Sequence, residues 1–230
     1  MADQHNRPQD TSLFPLRPDR SHYTLENITE SGETRLALLQ QRLQTIEILP
    51  EEISFLIEEF RKRLQVALGS IRWMRIEKSH LPLLPVIPHT ILSIRKQMQM
   101  VRRFQNSGED LTNNKLEDLI HQAPDHCYWV VDINRGHSLP ASTWIEEIAL
   151  ELMKNRQQAL TGIEIVSFAI HTDTLDLGRY GLCAAASRYC QTNEYPVIMC
   201  HHESPRLVAA KRVPPLCRYI VPTCAWRITT

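Results

Sequence analysis

Between Glu33 and Gly69 the apolar residues recur every three or four positions, and one proline divides the run. Leu36, Leu39, Leu43 and Ile46 form the first stripe. Ile53, Leu56, Ile57, Phe60, Leu64, Ala67 and Leu68 form the second. That period belongs to helices that bury one face. Pro50 suits a first helical position, and Glu51 and Glu52 suit the positive end of a helix dipole. Gly69 suits the residue just past a helix end. The spacing predicts an αα-hairpin over residues 34–68.

Residues 1–32 are polar and proline-containing, and read as a flexible or loosely docked N-terminal arm. Ile71 to Ile76 alternates weakly and suggests a short strand around Trp73. Pro82, Pro85 and Pro88 predict an extended connection. Thr90 caps a predicted third helix with Ile91, Ile94, Met98 and Val101 on one face. Thr112 or Asn113 opens a predicted short helix that ends at Pro124. Cys127 to Ile133 reads as a strand, being aromatic and β-branched before an Asn-Arg-Gly turn. Thr143-x-x-Glu146 and Thr161-x-x-Glu164 are capping boxes. They predict helices near 143–154 and 163–170, although β-branching in the second run also suits a strand. After Leu177, short apolar runs alternate with proline-containing breaks, as in a meander or mixed sheet.

The expected class is therefore α+β. A helical N-terminal half with the hairpin leads into a small mixed or antiparallel sheet flanked by helices. The expected units are an arm at 1–32, the hairpin at 33–70 and an α+β domain at 71–230.

Several function classes are excluded by inspection. The seven glycines are scattered, so neither G-x-G-x-x-G nor G-x-x-x-x-G-K-[ST] can be written. H-E-x-x-H and G-x-S-x-G are missing as well. The first twenty residues hold no basic region followed by an apolar one, which argues against a secretory signal. The stretch from Ser79 to Ile94 is uncharged, but it is short and interrupted by prolines, so no membrane span is expected. A soluble cytoplasmic protein with reduced thiols is the expectation. No cofactor is expected.

From Leu81 onward the order of motifs resembles a family of bacterial proteins, the domain of unknown function 5701 family. The resemblance is carried by Leu83 to Pro88, by Tyr128 to Asp132 with Gly136, and by Leu160-Thr161-x-x-Glu164. It continues through Ser187-Arg188-Tyr189, Tyr195 to Ile198, Ser204 to Leu207 and Thr223 to Arg227. Ala186 stands where that family is expected to have glycine, and a glycine- and tryptophan-rich stretch near 208–220 is replaced by Ala-Ala-Lys-Arg-Val-Pro-Pro. The resemblance implies no activity and transfers no catalytic residue.

Candidate chemistry lies mostly in the C-terminal half. Five of the six cysteines fall after residue 182, but no C-x-x-C occurs. Cys183, Cys190, Cys200 and His202 are the candidates for a metal, and packing as small hydrophobes is the alternative. Cys200 with His202 is a candidate nucleophile and base. Asp132, at a strand end, with His137 is a candidate acid–base pair, and capping of the following turn is its alternative. Arg188 and Arg206 are candidates for an anionic ligand, and pairing with nearby carboxylates or snorkelling to water is the alternative.

Lys and Arg total 26, as do Asp and Glu, so the net charge is zero. Residues 26–59 hold eight acids against two bases, residues 60–105 ten bases against one acid, and residues 109–153 nine acids against two bases. Zero is thus a sum of blocks of −6, +9 and −7. Arg95, Lys96, Arg102 and Arg103 on the predicted third helix suit an acidic partner, and the alternative is a solvated face paired with the acidic segments of the same chain or of a second copy. Without a nucleic-acid motif, binding to DNA or RNA is not expected. The leading reading is a non-enzymatic interaction or self-association module. The alternative is a ligand-binding protein or enzyme with a site near Asp132, His137, Arg188 and Cys200–His202.

Overall fold

A computed structural model describes residues 21–112, 115–119, 124–136, 138–139, 144–154, 158–172, 180–211 and 218–229. The first twenty residues of the predicted arm, His137 and Cys217 lie outside them.

Helix α1 (Leu25–Leu43) starts where Thr24 Oγ1 accepts the Asn27 amide at 3.2 Å. It begins before the apolar period does, because residues 21–23 are anchored. Tyr23 N donates to Ile76 O and Lys78 N to Ser21 O, both at 2.9 Å. Helix α2 (Pro50–Ile71) starts at the predicted proline, and Leu49 N donates to Glu52 Oε2 at 3.3 Å. Gly69 lies inside α2 rather than past its end. Gly32 lets α1 come close to α2, since a Cβ there would lie 2.9 Å from Leu64 Cδ1.

Strand β1 (Leu81–Val86) follows, then helix α3 (Ile94–Met98) and the short strands β2 (Arg102–Arg103), β3 (Asn106–Ser107), β4 (Glu109–Asp110) and β5 (Leu116–Asp118). Next come β6 (Tyr128–Ile133), β7 (Ser138–Leu139), α4 (Ile145–Lys154), β8 (Gln158–Ala159) and α5 (Gly162–His171). The chain closes through β9 (Tyr180–Cys183), β10 (Ser187–Tyr189), β11 (Tyr195–His201), β12 (Ser204–Ala210), β13 (Arg218–Ile220), β14 (Thr223–Cys224) and β15 (Trp226–Ile228).

Three sheet features organise the molecule. An antiparallel sheet in the order β1-β6-β15 packs against the hairpin. A six-stranded sheet runs β4-β12-β11-β9-β13-β7, with parallel pairing at β12–β4 and β13–β9. Two-stranded pairs β10–β5, β14–β8 and β2–β3 complete it. One apolar cluster runs from Leu36, Phe60 and Leu64 through Trp129 and Val130 to Phe168 and Ile198. Trp129 closes the contact between hairpin and sheet. Its Nε1 donates to Phe60 O at 3.2 Å, and its ring meets Phe60 edge-on with centroids 5.7 Å apart.

This architecture corrects the predicted class. The N-terminal half is not helical. Its two long helices end at Ile71, and from Leu81 strands dominate, in five sheets rather than one. Proline misled the reading at β1. Pro82 and Pro85 sit in a fully buried strand, tolerated because β1 is an edge strand bonded only to β6. No strand forms around Trp73, which lies in the turn after α2 and is exposed.

The third helix is shorter than predicted. Gln97 is buried and its amide donates to Ile87 O and Leu92 O, pinning α3 to its own entry loop. Met98 O then lies so close to Gly108 that a Cβ there would be 2.5 Å away, and the chain turns into β2–β3. Arg95 and Lys96 remain on α3 whereas Arg102 and Arg103 lie on β2, so the continuous basic helix face does not exist. The helix predicted from residue 112 is also overturned in its described part. Leu116 to Asp118 are strand β5, paired with β10.

Helices α4 and α5 lie where the two capping boxes point. Every residue of α5 is buried, so its apolar content serves a central helix rather than a strand.

Candidate functional site

Helix α5 carries one acid, Glu164, in an otherwise uncharged buried stretch. A buried carboxylate needs a counter-charge, and Arg227 on β15 supplies it. Arg227 Nε donates to Glu164 Oε1 at 2.6 Å and a terminal nitrogen to Oε2 at 2.8 Å. The guanidinium also donates to Gln158 Oε1 at 2.6 Å and Ala159 O at 2.8 Å. Tyr128 Oη donates to Glu164 Oε1 at 3.1 Å, and Thr161 N to Oε2 at 2.8 Å. Burial raises the Glu164 pKa, but Arg227, the Thr161 amide and the Tyr128 hydroxyl outweigh it and hold the carboxyl below its usual range. Burial, then the neighbouring Glu164, pushes the Tyr128 hydroxyl well above its usual value. The network is satisfied and closed, so it ties α5 to two strands and offers no reacting group to solvent.

Asp132 takes a partner that the sequence did not suggest. His80 Nδ1 lies 2.6 Å from Asp132 Oδ1, with the side chains 20% and 19% exposed. Asp132 has φ +55° within β6, between Val131 and Ile133, which pair with Leu83 and Leu81. Left-handed backbone at a non-glycine residue costs on the order of 1–3 kcal/mol. The intended partner, His137, lies outside the described residues.

The other candidates are spread over separate strands. Arg188 Nε on β10 donates to Glu117 Oε2 on β5 at 3.0 Å. Arg206 on β12 lies 4.0 Å from Glu109 on β4. Cys200 is the penultimate residue of β11, and His202 with Glu203 forms the two-residue turn into β12. Both turn residues have positive φ, 47° and 65°, the geometry of a type I′ hairpin turn. Cys183 is fully buried, and burial pushes its thiol far up, whereas Cys190 is exposed. Among the described residues no hydrogen bond or ion pair joins Asp132 to Arg188, Cys200 or His202. No group of three or more described His, Cys, Asp or Glu side chains could hold a metal ion. No helix among the described residues is long and apolar enough to cross a membrane.

An open apolar concavity lies elsewhere. A groove of about 670 Å³ runs along the N-terminal half of α2. Ile48, Leu56, Leu92 and Cys127 form its floor. Phe55 and Ile91 line it as well, although they are 66% and 45% exposed. Glu51, Glu52 and Glu59 add three carboxylates against Lys96, with Glu59 already paired to Lys62 at 3.2 Å and Glu52 Oε2 accepting from Leu49 N. Lys96 is itself committed, since its Nζ donates to Glu47 O at 3.2 Å. Burial pushes the Cys127 thiol up to about 12, so the floor presents an uncharged SH. The periodicity showed α2's buried face and hid the groove, because Phe55 falls outside that stripe and Ile91 comes from a distant loop.

No family model matches the chain, and neither a curated protein nor a solved structure matches it. Tyr128, Glu164 and Arg227, from three segments far apart in the sequence, meet in one buried network.

Proposed function

We propose that this chain is a cytoplasmic protein-interaction module rather than an enzyme, and that it binds through the groove beside α2. Its partner in this reading is a polypeptide segment with two or three apolar side chains next to a cation. The observation that supports it is an exposed Phe55 and Ile91 bordered by Glu51, Glu52 and Glu59. Apolar side chains left in water beside a preformed floor gain by being covered, and the carboxylates select a cation over an acid. Covering two such side chains supplies about 1.5–3 kcal/mol each, about 3–6 kcal/mol together, which corresponds to weak binding, roughly 40 µM to 6 mM. The reading replaces the acidic partner expected at Arg95, Lys96, Arg102 and Arg103, because those four no longer share a face.

The test is fluorescence anisotropy with a labelled nonapeptide of leucine, phenylalanine and arginine, and an analogue with glutamate for arginine. The basic peptide is expected to bind about tenfold or more tightly than the acidic one. Phe55→Ser and Glu51→Lys, both at exposed positions, are expected to abolish that preference without unfolding the chain. Equal binding of the two peptides, or none, overturns the proposal.

A further inference from the structure

We infer that the groove beside α2 continues past Lys96 into a second, cationic compartment, and that this compartment takes an acidic side chain of the same polypeptide. This rests on the groove reading above and adds an acid to the partner's apolar and basic groups. The second compartment is an open cavity of about 720 Å³, and Gln44, Glu47, Ser93, Arg95, Lys96 and Gln99 are among the residues that line it. The two cavities abut. Lys96 lines both. Ile48 and Leu92 line the first, and their chain neighbours Glu47 and Ser93 line the second. The boundary is thus one residue wide on each wall. Two or three residues of extended chain, about 7–11 Å, are enough to cross it.

The chemistry changes sign across that boundary. The first compartment sets Phe55 and Ile91 beside three carboxylates. The second holds two cations, Arg95 and Lys96, against one acid, Glu47. Arg95 is exposed and has no hydrogen-bond or ion-pair partner among the described residues. Its planar guanidinium presents N–H groups in a fork that fits a carboxylate. Lys96 uses one of its three N–H donors on Glu47 O at 3.2 Å, so two remain. Ser93 Oγ accepts the Lys96 amide at 3.4 Å, which leaves its O–H to donate. Gln44 and Gln99 add side-chain amides. A carboxylate entering here meets donors from several residues, whereas an ammonium meets two like charges. Arg95 and Lys96 thus act on one side chain of the partner, without Arg102 and Arg103.

The experiment extends the leucine–phenylalanine–arginine nonapeptide by one glycine and one aspartate, at either end. Twins carry asparagine for the aspartate, and both termini are blocked so that only the side chain differs in charge. Anisotropy with the full-length chain is expected to show an aspartate peptide binding about threefold to fivefold more tightly than its asparagine twin, at one end of the nonapeptide. Arg95→Gln, at an exposed position, is expected to remove that difference and to leave affinity for the asparagine twin unchanged. Equal affinities for aspartate and asparagine at both ends overturn the inference and leave the groove reading intact. So does a difference that survives Arg95→Gln. A uniform loss for every peptide in Arg95→Gln also overturns it, because that marks a structural role for the arginine. Failure of all the peptides, the unextended nonapeptide included, removes the groove reading and the inference together.

Discussion

Glu164 and Arg227 show how much a single buried charge can demand. With either partner removed, the other is left uncompensated among apolar groups, at a cost of about 3–5 kcal/mol. Glu164→Gln keeps shape and loses charge, so a drop of that order in denaturant-derived stability is expected, with a smaller drop for the Glu164→Gln/Arg227→Met pair. His171, buried at the end of α5, governs the acid limb. Burial, with Arg35 and Arg42 nearby, lowers its pKa from 6.5 to about 3. Between those values the unfolded chain binds one more proton, so stability rises with pH there. It is lost as pH falls below about 6.5, at roughly 1.4 kcal/mol per pH unit. Denaturation at pH 7 and pH 5 should therefore differ by about 2 kcal/mol in the wild type, and by clearly less in His171→Leu. Glu164, with its lowered pKa, adds its own loss only once pH falls below its unfolded value of 4.5.

Two glycines separate intrinsic propensity from tertiary packing at the scale of the element. Gly69 sits inside α2 with nothing within 4 Å of where a Cβ would be. Gly69→Ala is expected to stabilise by about 0.5–1 kcal/mol, read as a raised melting temperature. Gly108 faces a backbone carbonyl, that of Met98, which cannot swing aside. Gly108→Ala is expected to lower the melting temperature. The same contact explains why the sequence misled at α3, where an apolar period ran on through Val101. Gly108 and the buried Gln97 amide stop the helix at Met98, and neither signal is local. At β1, prolines that read as a connection occupy an edge strand, which can spare N–H groups.

Taken whole, the molecule is held by a core that hairpin and sheet share. Leu36, Phe60 and Leu64 from the helices belong to one cluster with Trp129 and Val130 from β6. Helix loss by circular dichroism and exposure of Trp129 by fluorescence should therefore follow one coincident denaturation curve. Separate curves would mean that the hairpin unfolds by itself. The charge blocks are partly resolved at this scale too. Arg61 lies 3.6 Å from Glu33, and Lys62 3.2 Å from Glu59, so part of the basic block faces the acidic one within the hairpin. Such exposed pairs are worth about 0–1 kcal/mol each, so they neutralise more than they stabilise.

The sequence by itself determined the two long helices, the strand through Tyr128 and the capped entry to α5, because period, proline and capping signals act within a few residues. It also excluded the common phosphate loops. Of the candidate site it showed Asp132, but not His80 fifty-two residues earlier in the chain. The lone acid of an apolar helix was a legible demand for a cation, yet which arginine answers it depends on β15 lying beside β6. The groove was illegible, since its walls come from a helix, a loop and a strand entry that only packing brings together. Tertiary structure decided those pairings because burial and counter-charge are set by neighbours in space, whereas the sequence records only neighbours along the chain.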